Sequence, residues 1–306
     1  MTADTTGLDA GDAVVRALRA ISERLDELEP AALRDEPDAV HQMRTHVRRL
    51  RSVLAAFAPL FDSAVAEALR RRYGEFGREL GTVRDLEVRI GMAERAVEEL
   101  SEQGREEIAD VDAIRVRLID DEVESHRLAH ARFVQLQRLP RAAARRRDLA
   151  EFLADAPRTP GADEPAGSTL GDLLDREARR TTRRASRVDE SAGAERLHAV
   201  RKAGRRLRYA AEALTEEPVV LFGKRARTLA RAGEELHDVL GDHRDEVLFA
   251  EHVRRVAAHA AHAGAPVDAL ERIAIDADRR AAERLSQLDA VVRELRRANR
   301  KWVASR

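Results

Sequence analysis

The chain has 306 residues, a formal net charge of −1 and no cysteine, which excludes disulfides and thiol catalysis and fits a reducing cytoplasm. Hydrophobic residues make up 43% of the chain but aromatic residues only 3%, so leucine, valine and alanine must fill its core. Charged residues reach 36%, a share typical of long amphipathic helices with wet outer faces.

The N-terminus shows no basic region followed by an apolar run, and no apolar stretch approaches the roughly 18 residues that a membrane span needs. These absences predict a cytoplasmic protein without a membrane partner.

The first half of the chain is predicted to be a helical repeat over residues 12–154. Residues 1–11, rich in Thr, Asp and Gly, predict a flexible N-terminus. From Asp12, apolar residues recur at spacings of three and four until Pro30, and a basic helix follows Pro37 and ends near Pro59. Further helices are predicted at about 62–80, 82–100, 106–138 and 141–154.

Residues 155–168 contain prolines and glycines at close intervals and predict a linker. A second helical repeat, 169–302, follows in the same order. Its helices are predicted at about 169–188, 197–217, 221–240, 245–263 and 267–302. No run of alternating β-branched residues predicts a strand.

The pattern H-x-x-R-x-x-x-R-R-L-R occurs at residues 41–51 and again at 198–208. On a helix of ~100° per residue, its histidine and three of its arginines fall within roughly 80°, opposite an apolar arc. The first stripe is His41, Arg44, Arg48 and Arg51; the second is His198, Arg201, Arg205 and Arg208.

Neither stripe contains an acidic residue, and the first acid after the second copy is Glu212. A row of like charges is costly, which favours an absent anionic partner, although such a row is often only a solvated helix face. The repetition of the same His/Arg order favours the partner. Arginine forks bind phosphate oxygens in pairs, although a GC-rich genome would also favour arginine over lysine.

A second motif, L-G-x-x-R-D, occurs at 80–85 and at 240–245, and two motifs recurring about 160 residues later indicate a duplication. Gly81 and Gly241 predict helix breaks. Thr82 and Asp85 resemble a capping box, so Asp85 and Asp245 are expected to cap helices rather than contact a ligand.

A third arginine row lies at the start of the second repeat. Arg176, Arg180, Arg183 and Arg187 fall within roughly 60° on a helical wheel. They either extend the basic surface or form a solvated helix face.

The paired motifs resemble those of the CHAD (conserved histidine α-helical domain) family, over about residues 12–300. The resemblance implies an all-α fold of two four-helix-bundle repeats related by pseudo-two-fold symmetry. It also implies a basic groove or channel between the repeats that binds inorganic polyphosphate without catalysis, and association with polyphosphate granules. By position, it adds Arg49, Lys202 and Arg206 to the binding residues.

Alternative functions remain: a phosphohydrolase or accessory subunit acting on polyphosphate or triphosphate, or a nucleic-acid-binding protein. The scarcity of aromatic residues disfavours single-strand binding. No Gly-rich phosphate loop or G-x-S-x-G elbow predicts a catalytic site. His126 and His130 have the i, i+4 spacing of metal ligands but no assignable third ligand, so neither a metal nor a cofactor is predicted. Polyphosphate-metabolising enzymes are further candidate partners.

Overall fold

The computed structural model describes residues 7–103 and 108–305, which form helices joined by loops and turns, with one short β-hairpin. The all-α prediction is confirmed. No helix in these ranges combines the length and the apolarity that a membrane span requires. Residues 1–6 of the predicted flexible N-terminus and residues 106–107 of a predicted helix lie outside the described residues.

The helices of the first half end before residue 155. They are α1 (Ala10–Leu33), α2 (Ala39–Ala56), α3 (Ser63–Gln103), α4 (Ile108–Arg115), a π-helical segment (Val116–Asp120), α5 (Asp121–Gln137) and α6 (Pro140–Ala154). Short 3₁₀ turns lie at Ala58–Leu60 and Pro160–Ala162.

The second half begins with α7 (Ala166–Ala185) and α8 (Ala194–Glu212). The antiparallel strands β1 (Thr215–Glu216) and β2 (Val219–Val220) follow, joined through a cis Glu217–Pro218 bond. The remaining helices are α9 (Lys224–His262), α10 (Asp268–Leu285) and α11 (Leu288–Val303).

Both halves open with the same series of helix lengths. The first three helices have 24, 18 and 41 residues in the first half and 20, 19 and 39 in the second. This recurrence agrees with a duplication. The pseudo-two-fold relation between the repeats and the groove between them remain predictions.

The chain forms two compact units, each built from segments of both halves. The first unit contains the chain up to Leu80, Leu136–Asp238 and the chain from Leu288. The second contains Gly81–Gln135 and Val239–Gln287. The compact units therefore divide the chain differently from the predicted repeats 12–154 and 169–302.

The predicted helix breaks at Gly81 and Gly241 are wrong, because α3 and α9 run through them without interruption. A glycine within a helix costs only about 1 kcal/mol relative to alanine, and the apolar pattern around it outweighs that cost. Leu80 and Leu240 are buried beside these glycines. Asp85 and Asp245 consequently lie inside helices and do not cap them.

The predicted linker 155–168 is held against neighbouring segments of the first unit. Asp62 donates its backbone N–H to Pro157 O at 2.8 Å, and Thr159 donates to Leu60 O at 3.0 Å. Ala10 donates to Glu164 O at 2.9 Å, so α1 begins two residues before the predicted start. α7 likewise begins at residue 166 rather than 169.

Two other features of the second half differ from the prediction. The predicted terminal helix is two helices, α10 and α11, because residues 286–287 form a turn. The hairpin after α8 was not predicted, because two-residue strands are too short to show alternation.

The apolar faces predicted for the two motif helices are confirmed, because they form part of the first unit's core. On α2 the buried residues include Val40, Met43, Val47, Leu50 and Leu54; on α8 they include Leu197, Val200, Leu207 and Ala211. Helix α2 packs against both α1 and α8, and α8 packs against α7. Burying these faces fixes which way the basic stripes point.

Helices α8 and α9 approach each other closely at a pair of glycines, Gly204 and Gly233. A Cβ atom placed on Gly233 would lie 2.8 Å from Gly204 O and 2.9 Å from Arg208 N. Both neighbours are backbone atoms, which cannot rotate away. The close approach therefore requires glycine.

The substitution Gly233→Ala should lower the free energy of unfolding by about 1–3 kcal/mol, because overpacking outweighs alanine's better helix propensity. Gly167→Ala is the matched control, since a Cβ there meets nothing within 4 Å. Urea denaturation measures both variants. A Gly233→Ala protein as stable as the Gly167→Ala protein would show that the two helices can separate without cost.

Candidate functional site

The two motif helices bring their arginine stripes together, because α2 and α8 pack directly against each other in the first unit. We define the arginine cluster as the three arginines of each stripe: Arg44, Arg48, Arg51, Arg201, Arg205 and Arg208. Electrostatic interactions among these residues cross from one helix to the other.

Arg48 lies near the middle of the cluster. Burial lowers the pKa of Arg48 most, and three positive neighbours lower it further: Arg44, Arg201 and Arg208. Its side chain donates to Thr45 Oγ1 at 3.3 Å, and its buried Nε has no hydrogen-bond partner among the described residues. No carboxylate in the described part of the chain forms an ion pair with it.

Arg205 occupies the corresponding position on α8. Burial lowers the pKa of Arg205 to about 9, and the charges of Arg48 and Arg201 contribute next. Its Nε is also buried without a hydrogen-bond partner in the ranges that the structure describes. Two guanidinium groups are thus held in a poorly solvated site without neutralising carboxylates, an arrangement that an external anion would stabilise.

Arg51 extends the cluster towards α3. A Cβ on Gly74 would lie 3.2 Å from Arg51 Nη2, so glycine leaves room for this guanidinium. Burial lowers the pKa of Arg51, and the charges of Arg70 and Arg78 on α3 lower it further. The sequence analysis missed Arg70 and Arg78, which lie outside the repeated motif. Gly74 and Gly77, one helical turn apart, were the sequence feature that could have indicated a close contact with α3.

His237 on α9 is a second group that the sequence analysis missed. It is only 5% exposed, and it follows Gly233 by one turn, where α9 meets α8. Burial lowers the pKa of His237 to about 2, and the charges of Arg201, Arg205 and Arg48 contribute. This histidine is therefore neutral at neutral pH. The sequence feature that could have identified it was a single histidine within an otherwise apolar face of α9.

The second arginine of each Arg-Arg pair binds carboxylates. Arg49 Nη2 lies 2.5 Å from Glu216 Oε2 and 3.6 Å from Glu212 Oε2. Arg206 Nε lies 2.6 Å from Oε1 of Glu177, a residue that is 2% exposed. These two arginines anchor α2 and α8 to their neighbours. They do not join the six cluster arginines, and a direct role in binding remains only a prediction for them.

Arg208 has a mixed position. It forms ion pairs with Glu212 at 2.7 Å and with Glu234 at 2.9 Å, while its charge also lowers the pKa of Arg48. Its charge is therefore partly neutralised, unlike that of Arg48 and Arg205.

The first residues of the two motifs differ in exposure between the two helices. His41 and Arg44 are half-buried, whereas His198 and Lys202 are exposed. The N-cap Asp38 makes no side-chain capping hydrogen bond and the N-cap Gly193 has no side chain, so no cap side chain covers the first amides of either helix. An anion at these ends would interact favourably with the helix dipoles.

Arg176, Arg180 and Arg183 do not lie in the arginine cluster. They line a different cleft of the first unit, between α7 and α11, together with Asn299. The side of α7 that faces α8 instead carries Glu177 and Thr181.

The candidate metal pair is found in the second unit. The His126 and His130 rings stack, with centroids 6.4 Å apart and planes inclined by 16°. His126 Nε2 lies 3.6 Å from Glu87 Oε1.

The pKa of His237 predicts a pH dependence of stability. Between pH 6.5 and about 2 the unfolded chain binds a proton at this residue that the folded chain does not, so stability falls as the pH drops below 6.5. The free energy of unfolding of the parent should fall between pH 7 and pH 5, and His237→Gln should make that fall smaller by about 1–2 kcal/mol. Urea denaturation at both pH values tests this, with His198→Gln as the exposed-histidine control. An unchanged loss in His237→Gln would contradict it.

Comparisons with known proteins agree with this architecture. Two curated relatives from Mycobacterium tuberculosis, the uncharacterized proteins MT2285 (strain CDC 1551 / Oshkosh) and Rv2226 (strain ATCC 25618 / H37Rv), are each 29% identical over 296 residues. The matches cover 92% of this chain and 53% of each relative, so the chain spans about half the length of the curated relatives it matches.

Two solved structures share the fold. PptA from Streptomyces chartreusis has a TM-score of 0.69 at 20% identity, covering 95% of this chain and 99% of that one. The CHAD domain from the plant Ricinus communis has a TM-score of 0.68 at 23% identity, covering 94% and 92%. A model of the CHAD domain family matches residues 16–254, which include both copies of the His/Arg motif. The protein therefore belongs to the CHAD domain family.

Proposed function

We propose that this protein binds inorganic polyphosphate through the arginine cluster and does not alter it chemically. The observation that carries the proposal is the pair Arg48 and Arg205, which are half-buried among like charges, with their Nε atoms fully buried, and have no ion-pair partner in the described chain. A chain of phosphates would supply negative charge to several of these arginines at once. We further propose that binding directs the protein to polyphosphate granules and to polyphosphate-metabolising enzymes.

Polyphosphate fits the cluster better than a single-stranded nucleic acid does. Non-specific single-strand binders add aromatic side chains on which bases stack. Here Tyr209, the aromatic residue beside the cluster, is 3% exposed. In the described ranges no Phe, Tyr or Trp belongs to the exposed large hydrophobic residues. The cluster therefore offers donors to phosphates and no platform for bases.

A binding role also fits the carboxylates near the cluster better than hydrolysis does. Metal-dependent phosphoryl transfer uses free carboxylates to hold divalent cations. The carboxylates of Glu177, Glu212 and Glu234 instead form ion pairs with arginines. These groups hold the binding helices in place.

Substitutions at the adjacent residues Arg205 and Arg206 should distinguish an effect on binding from an effect on stability. Arg205→Met should weaken polyphosphate binding by about ten- to hundredfold, because charge-assisted hydrogen bonds contribute about 1.5–3 kcal/mol. Its melting temperature should be equal to or above that of the parent, since a self-repelling charge is removed. Calorimetric titration and thermal denaturation measure the two effects.

Arg206→Met is the matched control and should behave in the opposite way. Removing it leaves the buried Glu177 carboxylate without its 2.6 Å partner, so we expect a loss of about 3–5 kcal/mol in stability and retained binding. If that variant fails to fold, Arg49→Met replaces it, because its nearer partner Glu216 is exposed and its other partner, Glu212, keeps its ion pair with Arg208. Equal loss of binding in Arg205→Met and in the control would refute the assignment.

A phosphate-release assay tests the absence of catalysis. We expect no orthophosphate above background when the protein is incubated with polyphosphate or tripolyphosphate and Mg²⁺ or Mn²⁺. If the parent releases orthophosphate and the Arg205→Met variant does not, the phosphohydrolase alternative is established.

A further inference from the structure

A second cluster of arginines lies on the first unit, in the cleft between α7 and α11. Its lining consists of Arg176, Arg179, Arg180, Thr182, Arg183 and Asn299. The cleft lies on a different side of α7 from the contact with α8, which Glu177 and Thr181 make through Arg206 Nε and Ala203 O.

Two of the four cleft arginines have no counter-charge in the described part of the chain. Arg179 pairs with Asp175 at 2.9 Å, and Arg180 lies 3.7 Å from Glu177 Oε2. Arg176 and Arg183 are exposed and form no ion pair among the described residues. The cleft therefore has a net positive charge at its surface.

Two polar groups of the cleft also lack partners. Thr182 Oγ1 and Asn299 Oδ1 are buried without a hydrogen-bond partner within the described ranges. A threonine hydroxyl donates readily to an anionic oxygen, and an asparagine amide presents an N–H₂ donor when its two ends are exchanged. The cleft thus offers guanidinium, hydroxyl and amide donors to one ligand.

This set of donors indicates an oxyanion, and the absence of aromatic residues from the lining indicates which one. Bases of a nucleic acid would find no stacking surface in the cleft. Guanidinium forks bind phosphate oxygens in pairs, and residues at i, i+3 and i+4 on a helix lie about 5–6 Å apart. Arg176, Arg179, Arg180 and Arg183 therefore form a continuous row suited to successive phosphates.

Stabilisation of the helix dipole is the main structural explanation for arginines near the end of α7. Arg183 and Arg184 lie in its last turn, where positive charge is favourable. That explanation does not account for Arg176, which lies near the middle of the helix. It predicts that Arg184 and Arg187, which are nearer the end of the helix, contribute more to stabilising the helix dipole than Arg176 does. Neither of them lines the cleft.

We propose that the α7/α11 cleft is a second phosphate-binding site, separate from the arginine cluster, and that it takes a short segment of inorganic polyphosphate. The identity of the ligand rests on the proposed function, but the site itself rests on the cleft residues. A short chain such as tripolyphosphate then binds at two sites per protein molecule.

Calorimetric titration with tripolyphosphate at low salt tests the proposal. We expect two bound molecules per protein chain for the parent and one for the double variant Arg176→Ala/Arg183→Ala. The matched control, Arg184→Ala/Arg187→Ala, removes the same charge from the last turn of α7 and the turn just after it, and should keep two. Arg205→Met should lose the other molecule and retain the one in the cleft. Circular dichroism verifies that every variant keeps its helicity.

Different results separate the two proposals. One bound molecule in the parent, unaffected by Arg176→Ala/Arg183→Ala, overturns the cleft site and leaves the arginine cluster intact. The parent could instead bind one molecule, with binding abolished by Arg176→Ala/Arg183→Ala and unaffected by Arg205→Met. That result supports the cleft site and overturns binding at the arginine cluster. Equal losses in the cleft variant and its control overturn a specific site. Displacement from the cleft by single-stranded DNA at matched phosphate concentration overturns the choice of polyphosphate.

Discussion

Mutual repulsion among half-buried arginines is the constraint on which the rest of the first unit depends. Arg48 and Arg205 are held in a poorly solvated place among other positive charges. Such an arrangement persists only if other contacts fix the helices that carry it. The apolar faces of α2 and α8 and the close approach of Gly204 to Gly233 provide those contacts.

The Arg-Arg pair in each motif divides two tasks between adjacent residues. The first arginine, Arg48 or Arg205, joins the cluster, while the second, Arg49 or Arg206, binds glutamates. Consecutive residues on a helix are about 100° apart, so one short motif can both expose a binding charge and anchor its helix. The duplicated pattern thus encodes the binding groups together with part of the structure that holds them.

The sequence allowed the fold class, the apolar faces of α2 and α8 and the direction of both stripes to be predicted, because these follow from local helical periodicity. The continuity of α3 through Gly81 could not be predicted, since tertiary packing decides whether a glycine ends a helix. The glutamates that bind Arg49 and Arg206 are remote in sequence, so the motif alone could not distinguish anchoring from binding arginines. His237 was missed because a single histidine in an apolar helix face more often belongs to an ordinary core.

The most direct test is a crystal structure of the protein with a short polyphosphate bound. The account predicts phosphate oxygens within hydrogen-bond distance of the guanidinium groups of Arg48 and Arg205, with Arg206 still bound to Glu177. Phosphates bound only by exposed groups such as Lys202, with no anion at Arg48 and Arg205, would contradict it.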